Sequence, residues 1–251
     1  NTLPWFEVAK HTGAIIKYID LDEEGKVTLE NVKKAVTEHT KIISLAQITN
    51  VLGYLAPIKE ICNFAHEHDI IVCVDGAQSA PHHAVDVQDL DVDFFAFSGH
   101  KMCGPTGVGV LYGKYHLLDE MTPTRFGGGS NARYNSCGLV KLKNAPTKFE
   151  TGTPNIEGVI GLGSAIEYLQ NGVGAIAFNI KNVFSQDGAS LFNTYGIAIR
   201  AGQHCAKILD EYLHVSQTLR ASFYFYNTKE EIDQFIEVCK KGDDFLDAFF
   251  G

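Results

Sequence analysis

The feature that most constrains this chain is the alternation of short, continuous apolar runs with stretches whose apolar residues recur at helical spacing. Ile42-Ile-Ser-Leu-Ala46 and Ile70-Ile-Val-Cys-Val74 are apolar almost throughout, and between them Ile58 to His68 has helical periodicity. A strand without polar alternation is buried on both faces, and strands joined through helices run parallel. The pattern therefore predicts a parallel sheet covered by helices, an α/β architecture. Leu3 to Lys17 and Leu29 to His39 extend the helical pattern, and Gly13-Ala-Ile-Ile-Lys-Tyr-Ile19 reads as a short strand. Phe94-Phe-Ala-Phe97 and Val108-Gly-Val-Leu-Tyr112 add two strands around a polar, glycine-rich turn.

Residues 125 to 146 are Gly-rich and polar and read as a flexible excursion. Beyond it the periodicity predicts a helix from Ile156 to about Gln170, strands over 175–178, 196–200 and 216–226, and a helix over 229–239. A large domain over 1–165 and a smaller α+β domain over 166–251 are expected, sizes that the 251 residues allow.

Composition removes several classes of function. The net charge is −9 and no basic run interrupts it, so a surface for nucleic acid is not expected. No apolar stretch reaches the roughly 18 residues of a membrane-spanning helix. The six cysteines, at 62, 73, 103, 137, 205 and 239, show no C-x-x-C spacing. Free thiols in a reducing compartment, and hence a cytoplasmic location, are the expectation. The first residue is Asn rather than Met, and a start upstream is expected.

Ligands of open α/β sheets bind beyond the carboxyl ends of the strands. One strand ends in Asp75-Gly-Ala-Gln78-Ser79 and another in Ser98-Gly-His100-Lys101. A lone Asp after a strand is usually a turn residue and a lone Lys is usually solvated. Together, at two strand ends about 25 residues apart, they suit pyridoxal phosphate: the Lys forms a Schiff base with the aldehyde and the Asp pairs with the pyridinium nitrogen.

Val74-Asp-Gly-Ala-Gln-Ser-Ala-Pro-His-His83 and Asp93-Phe-Phe-Ala-Phe-Ser-Gly-His-Lys-Met-Cys-Gly-Pro-Thr-Gly-Val-Gly109 closely resemble the class V aminotransferase family. Lys148-Phe-Glu-Thr-Gly-Thr-Pro-Asn155, Arg200-Ala-Gly-Gln-His-Cys205 and Arg220-Ala-Ser222 resemble it too, and the likeness covers nearly the whole chain. Within the family the match is to the group II cysteine desulfurases of the SufS type.

The resemblance implies PLP-dependent transferase fold type I, with a mainly parallel, seven-stranded-type sheet and a smaller C-terminal domain. It implies that Lys101 holds the cofactor covalently, Asp75 pairs with its ring nitrogen, Gln78 approaches the ring oxygen, and Ser98 and His100 bind the phosphate. His100 is also a catalytic candidate. Thr153 is expected to reach the phosphate of the neighbouring subunit, which implies a homodimer. Asn50 matches a position near the substrate, and Arg200 and Arg220 are expected to hold its carboxylate through planar bidentate forks. Cys205 lies in a polar context beside cationic residues, where a thiol is more readily ionised and attacks sulfur. The implied reaction turns L-cysteine into L-alanine and leaves a persulfide on Cys205, to be passed to an acceptor protein of the SufU or SufE type for iron–sulfur cluster assembly. A selenocysteine lyase, a kynureninase-like hydrolase or an aminotransferase would share Asp75, Gln78 and Lys101, and a non-catalytic scaffold would need none of them.

The chain departs from the family in two places. The upstream part, with the phosphate-cradling turn and the His that stacks on the ring, has no counterpart in this numbering. At Tyr168-Leu-Gln-Asn-Gly-Val-Gly174 a helix runs directly into a strand where the family has a longer insertion, and omission of segments is the expectation.

Overall fold

In the computed structural model, residues 2–169, 174–180, 183–203, 215–223 and 227–241 are described, with the side chains of 174–177 excepted. The chain is a mixed α/β protein that divides into two compact units, Asn1–Gln47 with Ala56–Gln170, and Ile48–Leu55 with Asn171–Gly251.

The larger unit is built on the apolar runs. Strands β1 (Ile42–Ala46), β2 (Ile71–Asp75) and β3 (Phe94–Ser98) lie side by side in parallel, and β4 (Gly109–Gly113) pairs antiparallel with β3. Parallel neighbours need a crossover long enough to return the chain to the same end, which β1 and β2 obtain through helix α3 (Ile58–His66). The segment 99–108 between β3 and β4 is shorter than such a crossover needs, so the chain reverses. The sheet has four strands among the described residues, against the seven-stranded type expected.

The core lies on one face of this sheet. Ile43, Leu45, Val72, Val74 and Phe95 point into it and meet Ile58, Ile61, Cys62 and Ala65 of α3, together with Val32 of α2 (Leu29–Ala35). The α3 residues fall at i, i+3, i+4 and i+7, one stripe of the helix. Each such side chain contributes about 1.5–3 kcal/mol on burial. The opposite face, with Ser44, Cys73, Asp75, Ala96 and Ser98, is only half-buried.

Helix α2 starts where Thr28 Oγ1 accepts the Asn31 N–H, but it stops at Ala35 rather than His39. There Val36 turns extended and the Thr37 N–H donates to Thr40 Oγ1, a local bond that competes with the helix. Helix α1 (Thr2–Thr12) buries none of its side chains, although Trp5 Nε1 donates to Ser44 Oγ at 3.0 Å. Residues 14–19, expected as a strand, form none, and Ile15 is 94% exposed. A strand is stabilised by its neighbour, and no described segment offers this one a ladder.

The polar stretch expected as a loop contains a hairpin, β5 (Asn131–Tyr134) with β6 (Val140–Leu142). Its turn is held by Asn135 Oδ1, which accepts the Cys137 and Leu139 N–H groups, and by Gly138 at φ +84°. Short helix α4 (Tyr115–Glu120) precedes it and α5 (Ile156–Leu169) follows.

At the amino-terminal edge of the sheet, Asp93 is 5% exposed and gathers donors from three elements. Its Oδ2 accepts the Val72 N–H at 2.7 Å and faces His66 Nε2 at 2.9 Å, while Lys114 Nζ stands 2.9 Å from Oδ1. Asp91 repeats the pattern with His66 Nδ1 at 3.1 Å and Lys114 at 2.7 Å. Burial pushes the Asp93 carboxyl up, but the Val72 N–H, His66 and Lys114 outweigh it and hold the group below the ordinary carboxylate value.

The smaller unit has an antiparallel sheet in the order β7 (Gly174–Phe178), β9 (Thr218–Phe223), β8 (Arg200–Gly202). Among its described residues are also helices α6 (Ser185–Thr194) and α7 (Lys229–Lys240), the latter opened by a reciprocal capping box between Thr228 and Glu231. The α6 segment gives little helical signal in sequence because Gly188 interrupts it. A methyl group there would meet Leu219 Cδ1 at 2.9 Å, so glycine lets the helix approach β9. Phe235 stacks on Phe192 at 5.2 Å and meets the edges of Phe178 and Phe223 at 5.4 and 5.3 Å. The strand expected over 196–200 pairs only from Arg200 onward, while Ile197 and Ile199 pack on this core.

Candidate active site

Asp75 is the last residue of β2, and the register pairs it with Ala96 of β3. Ser98 ends β3 two residues further on, so both side chains emerge on the half-buried face at the carboxyl edge of the sheet. Gly76 follows Asp75, donates its N–H to the Ala96 carbonyl at 2.8 Å and lies against the Phe95 ring so closely that a Cβ would occupy the ring's own space. Only glycine lets the turn carrying Asp75 close down on β3. Asp75 Oδ1 accepts the Ala77 N–H at 2.9 Å, its one side-chain hydrogen bond among the described residues, which leaves Oδ2 available. Gln78 follows in the same turn, half-buried, above the fully buried Ser79.

His100 and Lys101 stand on a single 3-10 turn, Gly99–Lys101, that continues directly from β3. Its geometry is set by backbone bonds on both sides: the Gly99 N–H donates to the Val108 carbonyl at 2.9 Å, and the Met102 and Gly104 N–H groups return to the Gly99 carbonyl at 3.0 and 2.9 Å. Substituents on Gly99 or Gly109 would strike Val108 or the Phe97 carbonyl at 2.8 Å, and Gly104 and Pro105 lie against Leu162 and Gly161 of α5. A rigid loop thus presents two exposed side chains, and among the described residues neither the Lys101 amine nor the His100 ring has a hydrogen-bond or ion-pair partner.

The larger unit therefore brings Asp75, Gln78, Ser98, His100 and Lys101 to two neighbouring strand ends. An acid with an open oxygen, an uncommitted amine and unengaged hydroxyl and imidazole groups form a donor set that fits pyridoxal phosphate. Thr153 is in this unit too, exposed, after Gly152, whose N–H donates to the Gly128 carbonyl at 2.7 Å.

Other expected residues belong to the smaller unit. Arg200 and Arg220 pair directly across β8 and β9, so the two guanidinium groups leave the sheet at one register position. Asn50 occupies the turn of a small hairpin closed by the Ile48–Leu55 bridge, with Gly53 at φ +69° and the Gly53 N–H on the Thr49 carbonyl. Cys205 and its neighbour His204 lie outside the described residues. The remaining five cysteines are free thiols, with Cys103 and Cys137 exposed. Burial, then the nearby Asp93 and Asp91 carboxylates, push Cys62 up to about 12, and Cys73, on the Asp75 face, is also raised by burial. Sequence reading missed the support behind the site, namely Phe95 under Gly76 and α5 against the Lys101 loop. The adjacent glycines at 76, 99, 104 and 109 were its only signal.

Among the described residues no group of three His, Cys, Asp or Glu side chains could hold a metal ion, and no helix is long and apolar enough to cross a membrane.

Comparison with known proteins gives a consistent answer. The family model described as aminotransferase class-V matches residues 1–175 and 171–235, two pieces that meet where the sequence passes straight from helix to strand. A probable cysteine desulfurase of Halalkalibacterium halodurans is 43% identical over 286 aligned residues, covering 100% of this chain and 70% of the relative. That alignment is longer than the chain, so the relative carries internal segments absent here. Among solved structures, the Escherichia coli cysteine desulfurase CsdA, in an S-sulfonic acid form, is 37% identical with a TM-score of 0.90 over 97% of this chain and 69% of that one. The apo cysteine desulfurase of Thermococcus onnurineus NA1 is 32% identical with a TM-score of 0.87 over 95% and 68%. With its strand-end acid and lysine in place and the family model matching nearly end to end, this chain belongs to the class V aminotransferase family.

Proposed function

We propose that the chain is a pyridoxal phosphate-dependent cysteine desulfurase of fold type I, with a mainly parallel sheet of the seven-stranded type and domains dividing at about residue 165. The observation that carries the reading is the uncommitted Lys101 amine at the end of β3 beside the Asp75 carboxylate at the end of β2. The names of the relatives supply the substrate.

Bound pyridoxal phosphate supplies an electron sink that weakens the Cα–H and Cβ–S bonds of an amino acid joined to it. Asp75 keeps a proton on the ring nitrogen, and Gln78 orients the ring through its amide. Ser98 and His100 donate to the phosphate, and Thr153 does so toward the neighbouring subunit of a homodimer. Lys101 would hold the aldehyde and move the substrate's Cα proton, and His100, on the same turn, is a second catalytic candidate. Arg200 and Arg220 take the substrate carboxylate and Asn50 lies near it. The Cys205 thiolate attacks the substrate sulfur: an S–S bond forms, the Cβ–S bond breaks, and a proton takes the place of sulfur on Cβ. L-cysteine and the Cys205 thiol thus become L-alanine and a Cys205 persulfide. Transfer of that sulfur to an acceptor of the SufU or SufE type, for iron–sulfur cluster assembly in the cytoplasm, completes the proposal.

The test is to add pyridoxal phosphate, reduce with borohydride and map the adduct by mass spectrometry, then supply cysteine to the unreduced protein. The expected results are an adduct on Lys101, alanine in solution and one added sulfur on the peptide containing Cys205. An adduct elsewhere, or alanine without sulfur on residue 205, defeats the assignment.

A further inference from the structure

Lys148 is the one buried lysine among the described residues, 6% exposed, and the mechanism above gives it no task. A buried ammonium is costly unless paired, so its partners matter. Its Nζ donates to the Asp119 carbonyl at 2.6 Å, stands 4.0 Å from Asp119 Oδ1 and lies 5.5 Å over the Phe149 ring. Asp119 is in the last turn of α4, where carbonyls lack helical partners and a cation is favoured. Its Oδ1 also accepts the Ala145 N–H at 3.1 Å, so one residue of α4 fixes both ends of the turn from Ala145 to Lys148.

Five residues beyond Lys148 comes Thr153. The chain between them is caught a second time where the Gly152 N–H meets the Gly128 carbonyl at 2.7 Å. Gly128 belongs to a turn that is itself fixed, with the buried Ser130 hydroxyl donating to the Gly127 carbonyl at 2.9 Å. The Thr153 side chain is exposed and has no hydrogen bond among the described residues. Its position is therefore set by the backbone, held at Lys148 and Gly152 on one side and at the entry to α5 on the other, where the Ile156 N–H donates to the Pro154 carbonyl at 2.8 Å.

We infer that Lys148 is a positioning residue for the cofactor phosphate, holding the Thr153 segment in place from α4. The inference rests on the proposed role of Thr153, and it assigns a phosphate-directed function to a side chain that never meets the phosphate. A hydroxyl serves as an anion donor only when held to within about half an ångström, which a segment loosened at one end does not provide.

The experiment compares pyridoxal phosphate with pyridoxal, which lacks the phosphate, by absorbance titration of the full chain. Lys148→Met is expected to weaken pyridoxal phosphate about tenfold, the value of a hydrogen bond to a charged group, and to leave pyridoxal unchanged. Lys148→Arg should restore affinity, and Lys148→Met should add nothing in a Thr153→Val background. If Lys148→Met does not fold, Asp119→Ala, at a half-exposed position, should show the same selective loss in smaller measure. Equal losses for the two ligands would mean a merely structural role, and unchanged affinity would mean none; either overturns the inference. Failure of the unmodified chain to take up pyridoxal phosphate at all would instead remove the functional reading and this inference with it.

Discussion

At the scale of single residues, what matters is which side chains are left uncommitted by the fold. Among the described residues Lys101 has no hydrogen-bond or ion-pair partner, and Asp75, beyond the turn bond it accepts from the Ala77 N–H, keeps one carboxylate oxygen open. Replacing Lys101 with Ala is expected to reduce alanine formation from cysteine below a few per cent of the unmodified rate while the melting temperature moves little, since the side chain is exposed; a rate above that level would mean another amine serves. Cys205→Ser should keep cofactor binding and lose the sulfur-bearing peptide, because a hydroxyl at neutral pH is a far poorer nucleophile toward sulfur than a thiolate. The other thiols separate by environment. Brief alkylation of the native protein at pH 7.5 should modify the exposed Cys103 and Cys137 and spare Cys62, which is fully buried and pushed up to about 12. Label on Cys62 without unfolding would show that α3 opens far more readily than its packing implies.

At the scale of elements, the Asp91, Asp93, His66 and Lys114 cluster ties the end of α3 to the starts of β2 and β3 and to the end of β4. Both carboxyls are held below their ordinary value of 3.8, Asp91 chiefly by its bond to Lys114 and Asp93 by the Val72 N–H, His66 and Lys114 against the opposing effect of burial. A depressed carboxyl stabilises the fold above the unfolded value and loses that contribution as pH falls through the folded one. Asp93→Asn should therefore cost about 2 kcal/mol at neutral pH, and the gap from the unmodified protein should close as pH falls below 3.8. Denaturant melts from pH 7 to pH 2.5 would measure this; a gap constant with pH would show that the carboxylate charge contributes nothing. In the smaller unit, Phe235 meets three other rings at once, so Phe235→Ala should cost about 3 kcal/mol or more, read as a lower midpoint in urea.

At the scale of the whole molecule, two hydrophobic cores among the described residues support two sets of candidate site residues. One lies under Asp75, Gln78, Ser98, His100 and Lys101 at the strand ends of the larger unit, and the other supports the facing arginines Arg200 and Arg220 on β8 and β9. The sequence by itself determined the parallel strands, the stripe of α3 and the positions of Asp75 and Lys101 at strand ends. These follow from properties carried by neighbouring residues, namely unbroken apolar runs, helical spacing and the polar clusters that end the runs. Tertiary structure decided the rest: the reversal of β4, the hairpin inside the polar stretch, helix α6 across Gly188, the absence of a strand at 14–19, and the burial of Lys148 under α4. Each depends on what a segment finds beside it, a partner ladder for a strand, a close neighbour for a glycine or a helix-end carbonyl for a buried ammonium. Such partners are distant in sequence and meet only when the chain has folded, so their energies leave no periodic mark along it.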